Sequence, residues 1–187
     1  IPKYTFDTYG LPRLLNQMDR LFALSPQVSR IYQDIGVREA RLSQIPNFYD
    51  PSFGTQTEET VSFSHDKSLL YVGAIKPHKG VDILVKTVPS LPDDTGLEIV
   101  GTGPQMASLK RRVSELGVAD RVTFHGWVAH EKLSGYYREA DIFVHPGRWP
   151  EPFNRTVLEA IQCDCPLVVS DVGAPPWVVD DCGLVFD

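Results

Sequence analysis

Two carboxylates, Glu151 and Glu159, bracket a segment that looks built to meet a ligand. The run His145-Pro146-Gly147-Arg148-Trp149-Pro150-Glu151-Pro152-Phe153-Asn154 holds three prolines and a glycine, which impose an irregular backbone. The stretch after it, Arg155 to Ile161, has helical spacing, and Asn154 is a plausible N-cap for it. As one helix, eight residues would part the two carboxylates by about 12 Å. A loop ahead of the cap can fold back, so both can reach one ligand. A carboxylate accepts two hydrogen bonds from a vicinal diol, such as a sugar edge or a ribose. Taken singly, Glu151 is a helix-start carboxylate favoured by the dipole and Glu159 a surface glutamate.

A cation stands on another loop. Ala74-Ile75-Lys76-Pro77-His78-Lys79-Gly80 delivers Lys79 to a helix start, where free N–H groups and positive potential favour an anion. Alone, Lys79 reads as a solvated lysine on a turn. Beside two carboxylates it fits a nucleotide-sugar, with its mixture of phosphates and hydroxyls. A further loop, Gly101-Thr102-Gly103-Pro104-Gln105-Met106, begins like a dinucleotide fingerprint, but Met106 holds the place of the third glycine.

The elements that must position these loops alternate regularly. Leu69–Ile75, Leu97–Gly101, Val122–His125, Ile142–His145, Leu167–Ser170 and Leu184–Phe186 read as strands. Between them, Val81/Leu84/Val85/Val88, Met106/Leu109/Val113/Leu116, Leu133/Tyr136/Tyr137 and Val157/Leu158/Ile161 fall at helical spacing. Such alternation predicts an α/β fold: a doubly wound parallel sheet of about six strands, Rossmann-like over 68–187, with ligands beyond the carboxyl ends of the strands. Residues 1–50 are organised differently. They predict a helix over Leu11–Met18, a strand over Arg20–Leu24, a helix opened by Ser25-Pro26 and running to about Ile35, and a strand over Leu42–Ile45. Residues 51–67 read as a connector.

Bulk properties narrow the classes. A net charge of −6 over 187 residues argues against a general nucleic-acid binder. Cys163, Cys165 and Cys182 have neither disulfide-framework nor zinc spacing and read as reduced thiols. No apolar run approaches a membrane span, and no secretory signal is visible. A cytoplasmic location is the expectation.

Six segments, in order, resemble the C-terminal domain of the retaining GT-B glycosyltransferases of group 1, or family 4: YVGAIKPHKGVDIL (71–84), LEIVGTGP (97–104), RVTFHGWV (121–128), ADIFVHP (140–146), EPFNRTVLEA (151–160) and PLVVSDVGAPP (166–176). Glu151 and Glu159 match the family's two glutamates with seven residues between them. Residues 20–50 resemble the end of the N-terminal acceptor domain, and IPNFYDPSF (45–53) its hinge. The resemblance implies a nucleoside-diphosphate-sugar donor and transfer to an acceptor hydroxyl. Lys79 would hold the diphosphate and Glu151 the transferred sugar. Glu159 would hold the ribose, and main-chain N–H groups of Phe153, Asn154, Arg155 and Thr156 the sugar and phosphate. Gly73 would line the donor site, and the backbone at Trp127 and Val128 would read the base. No metal and no cofactor beyond the co-substrate is expected. The acceptor, a glycan, lipid or small molecule, would be met through the N-terminal domain, with room for peripheral membrane association. The isolated chain is expected to transfer sugar poorly.

Three positions depart from the family pattern: Ala74 stands for a usual arginine, Asn154 for a usual glycine, and Asp164 for a small residue. The residues leave open a GT-B nucleotide-sugar epimerase and a non-catalytic nucleotide-sugar-binding module. A dinucleotide-dependent oxidoreductase is disfavoured by Met106.

Overall fold

The structure is a computed structural model, and it describes residues 10–48, 50–54 and 60–187. The first nine residues, Tyr49 of the predicted hinge, and 55–59 of the predicted connector lie outside the described residues. Residues 60–66 contain no helix or strand.

The first unit is small. Helix α1 (Leu11–Leu15) precedes strand β1 (Leu21–Ala23), helix α2 (Pro26–Asp34) and strand β2 (Leu42–Gln44). β1 and β2 pair in parallel, Leu21 opposite Leu42. α2 starts where the sequence places it. The Ser25 side chain accepts from the Val28 N–H, and Pro26 fills the first helical position, where its missing N–H costs nothing.

The main sheet has six strands: β3 (Lys67–Val72), β4 (Thr95–Val100), β5 (Val122–Gly126), β6 (Ile142–His145), β7 (Leu167–Ser170) and β8 (Leu184–Phe186). Their spatial order is β5-β4-β3-β6-β7-β8, and every pairing is parallel. Helices α3 (Val81–Thr87), α4 (Met106–Glu115), α5 (Leu133–Glu139), α6 (Arg155–Gln162) and α7 (Pro175–Val179) make the crossovers. The chain runs outward from β3 through β4 to β5, then returns to the other side of β3 with β6. The crevice between β3 and β6 is therefore the topological switch point, where such sheets bind ligands.

Alternation along β3 divides the core in two. Leu70 and Val72 pack with Tyr137, Phe143, Val157 and Ala160 on the α5–α6 face. Tyr71 packs with Val81, Val85, Leu109 and Val113 on the α3–α4 face. Burial on both faces explains the nearly unbroken apolar strands.

Three readings need correction, the first being the opening helix, which ends at Leu15 and not at Met18. The first strand stops at Val72 instead of continuing to Ile75. Ile75 is nonetheless fully buried: from the loop it plugs the α3–α4 core, and its N–H donates to Thr102 O. Its apolar character reports burial, not strand. The short helix α7 is an element that the sequence pattern does not place. Pro175 and Pro176 occupy its first turn, the one helical place that tolerates them.

Candidate functional site

The loops after β3 and β6 meet at the switch point. The first contains a 3₁₀ turn over Pro77–Lys79 and ends at Gly80, whose φ of 73° is left-handed. A Cβ at Gly80 would overlap the Pro146 carbonyl oxygen, so only glycine lets the two loops close. Arg148 fastens them. Its backbone N–H donates to His78 O at 2.9 Å, and its guanidinium donates to both carboxylate oxygens of Asp82, at 2.7 and 3.0 Å. That fork holds the Asp82 carboxyl below its ordinary range.

This junction brings Lys79 and Glu151 together, Nζ to Oε1 at 2.5 Å. The two residues read separately as phosphate and sugar ligands are each other's partner. The other Glu151 oxygen, Oε2, accepts from Asn154 Nδ2 at 3.0 Å. Asn154 is the N-cap of α6, its Oδ1 accepting from the Val157 N–H at 3.2 Å.

Gly73, Trp127, Val128, Arg155, Thr156 and Glu159, all predicted from the sequence, line one cleft of about 400 Å³, together with Ala74 and Thr102. Lys79 and Glu151 are not in its lining. They adjoin it through Asn154, the residue before Arg155. Phe153 is not in that lining: the residue is 4% exposed, and its ring stands edge-on to Trp177, centroids 6.2 Å apart.

Glu159 is no surface glutamate. It is 7% exposed. Its Oε2 accepts from the Tyr137 hydroxyl at 3.0 Å, and its Oε1 lies 3.1 Å from His130 Nε2 and 3.9 Å from the Arg155 guanidinium. Burial, reinforced by Glu159 itself, raises the Tyr137 phenol well above its ordinary value, so it stays a donor. The Oε1 side of Glu159 shares the cleft wall with His130 and Arg155.

Sequence reasoning missed three contributors: His130, Tyr137 as a hydrogen-bond donor, and His145. Tyr137 appeared only as part of an apolar stripe. His145 ends β6, is 2% exposed, and lies with its ring nitrogens 3.1 and 3.2 Å from Asn154 Nδ2. Burial pushes its pKa down to about 4, against a smaller raising influence of Glu151. Gly147 makes room for it, since a Cβ there would sit 2.5 Å from His145 Nε2.

Cys163 and Cys165 are buried free thiols, pushed up to about 11 mainly by burial. Cys182 is free and exposed. No group of three or more His, Cys, Asp or Glu side chains among the described residues is placed to hold a metal ion.

The strand order is that of Rossmann-like domains in general, and the solved structures on which the chain superposes make it the C-terminal half of a GT-B fold. A structure of Anabaena HepE in complex with UDP and glucose superposes with a TM-score of 0.81 at 21% identity, over 94% of this chain and 52% of that one. Residues 53–187 match the model of the glycosyl transferases group 1, and the chain belongs to that family. It is 33% identical over 172 residues to the lipopolysaccharide core biosynthesis mannosyltransferase LpsB of Rhizobium meliloti (strain 1021), covering 86% of this chain and 48% of that protein. It is 32% identical over 149 residues to the GDP-mannose-dependent alpha-(1-6)-phosphatidylinositol monomannoside mannosyltransferase of Mycolicibacterium smegmatis (strain ATCC 700084 / mc(2)155), covering 74% and 39%. The chain thus spans about half or less of the curated relatives it matches.

Proposed function

We propose that the chain binds a nucleoside-diphosphate sugar and presents it for retaining transfer to an acceptor hydroxyl. The observation that carries this reading is the extended row of groups at the switch point: the Lys79–Glu151 pair, the α6 N-terminus, and buried Glu159 on the cleft wall. An elongated ligand with sugar, diphosphate and ribose in series fits that row. Lys79 turns to the diphosphate, and Glu151, released from it, accepts from sugar hydroxyls. Main-chain N–H groups between Phe153 and Thr156 meet the sugar and phosphate. Glu159 accepts from the ribose, with Tyr137 behind it and His130 beside it on the cleft wall, and the backbone at Trp127 and Val128 meets the base.

In the step itself the bond between the anomeric carbon and the diphosphate oxygen breaks. The acceptor oxygen bonds to the same face of that carbon. The departing phosphate takes the acceptor proton. The protein contributes positioning and charge stabilisation, and the reading assigns no step to a metal or cofactor. The mannosyltransferases among its relatives and the UDP and glucose bound in HepE support a hexose donor. A glycan, lipid or small-molecule acceptor, a cytoplasmic location and peripheral membrane association belong to the same proposal. No helix among the described residues is long and apolar enough to cross a membrane.

Calorimetry of this chain with UDP, GDP and NAD tests the reading. Binding of a nucleoside diphosphate, weakened by Glu159→Gln, is the expected result; binding of NAD alone sinks it. Ala74, which leaves that part of the cleft wall uncharged, favours a second reading as a non-catalytic nucleotide-sugar-binding module. Donor consumption by protein carrying both GT-B halves separates the two.

A further inference from the structure

Asn154 does more than cap a helix. Its Oδ1 accepts from the Val157 N–H at 3.2 Å and from the Thr156 hydroxyl at 2.8 Å. Those two donors fix the orientation of the amide, so Nδ2 must point the other way. There it meets Glu151 Oε2 at 3.0 Å and lies within 3.2 Å of both ring nitrogens of His145. The residue is 8% exposed, and all its side-chain polar atoms are engaged. Its backbone sits at φ 92°, ψ 98°, where a side chain is strained and glycine is favoured. Strain of this kind persists only where the surroundings over-determine it, and it gathers at working sites.

Glu151 is therefore held at both oxygens, Oε1 by Lys79 and Oε2 by Asn154. The hold of Lys79 is the one that a phosphate would compete for. The donor of the second hold, Asn154, is an uncharged amide anchored by the Val157 N–H and Thr156 hydroxyl, for which a phosphate does not compete as an anion. We propose that Asn154 is a positioning residue, which keeps Glu151 aimed at the ligand's sugar after Lys79 has turned to phosphate, with His145 as its buried backstop. The His145 ring, with both nitrogens 3.1–3.2 Å from Nδ2, packs against the amide and limits its rotation. The inference rests on the reading of Glu151 as the sugar ligand.

The test compares UDP with UDP-glucose, and GDP with GDP-mannose, by calorimetry on this chain. The readout is the ratio of the two affinities, which isolates the sugar. Asn154→Asp keeps the capping oxygen, itself a favoured N-cap, but replaces the donor to Glu151 with a like charge. It is expected to lower the sugar ratio roughly tenfold, the worth of a hydrogen bond to a charged group, over and above the loss that the added charge imposes on nucleoside diphosphate and nucleotide-sugar alike. Asn154→Gly, which relieves the backbone, is expected to lower the ratio in the same sense, so a folding defect in one variant does not hide the effect. The double variant Asn154→Asp/Glu151→Gln is expected to lose no more than the worse single variant, because the two residues act as one unit. An unchanged ratio in Asn154→Asp, or losses that simply add in the double variant, overturns the proposal. Failure of the unaltered chain to bind any of the four ligands overturns the reading of the site, and the proposal with it.

Discussion

Arg148 and Asp82 form a two-bond fork, at 2.7 and 3.0 Å, that ties the loop carrying Glu151 to the helix following Lys79. The pair is partly open to solvent, its side chains 45% and 20% exposed, so its own contribution to stability is at most about 1 kcal/mol. Its larger effect is geometric. Arg148→Ala is expected to leave the melting temperature nearly unchanged while weakening nucleoside-diphosphate binding by roughly tenfold, because the two loops no longer present one site. Melting curves and calorimetry on the same variant decide it. A large stability loss with proportionate loss of binding would make the fork a scaffold element instead.

Tyr137→Phe removes a donor from a carboxylate that is 7% exposed. Leaving such a charge short of a partner costs about 1–3 kcal/mol. Urea unfolding is expected to show a lower midpoint at constant slope, the mark of a native-state loss. Nucleotide affinity is expected to fall too, since Glu159 is less well held.

His145 makes stability depend on pH in a defined window. Unfolded, a histidine titrates near 6.5; folded, this one titrates at about 4. Between those values the unfolded chain binds more protons, so stability falls as pH drops from about 6.5 to about 4 and the histidine term levels off below. Above 6.5 both states are neutral there and the term vanishes. The full span is on the order of 3 kcal/mol. In His145→Gln the unfolding free energy is expected to lose this part of its slope, with the remaining acid loss carried by carboxylates such as Asp82.

Ala74→Arg adds a cation to the cleft wall, which Arg155 alone supplies among the lysines and arginines of its described lining. Nucleoside-diphosphate affinity is expected to rise about fivefold or more at low salt, and the gain to shrink with ionic strength. Nucleoside affinity is expected to stay constant. A gain for the nucleoside as well would place the diphosphate elsewhere.

Much of this arrangement was legible in the sequence because its signals are local. The β-branched runs gave the strands, and Ser25-Pro26 and Asn154 gave their helix starts. The loop–cap–helix setting placed Glu151 before α6 and Glu159 within it. What failed were properties decided by contacts between distant segments. Ile75 looks like strand because burial and extension leave the same apolar trace. Nothing near Tyr137 reveals that its hydroxyl faces Glu159, 22 residues away. Lys79 and Glu151 are 72 residues apart, and neither segment shows that they pair. The glycine expected at position 154 was a backbone requirement, and the structure shows it still in force: Asn154 adopts the positive φ that the missing glycine would have taken. Asp164, also in place of a small residue, does the same at φ 54°.

The switch point between β3 and β6 also makes the site a gauge of folding order. Those two strands share only two paired positions, Leu69 with Ile142 and Leu70 with Phe143, yet all the strands on either side meet through them. Closing that seam joins segments some seventy residues apart, the kind of long-range step that sets folding rates. Lys79 reaches Glu151 only once it has closed. A formed site therefore requires a closed seam as well as the side chains that face the ligand. Truncation of Leu70 or Phe143, both fully buried in the core beside the seam, would lower stability by about 2–5 kcal/mol and loosen the site along with it.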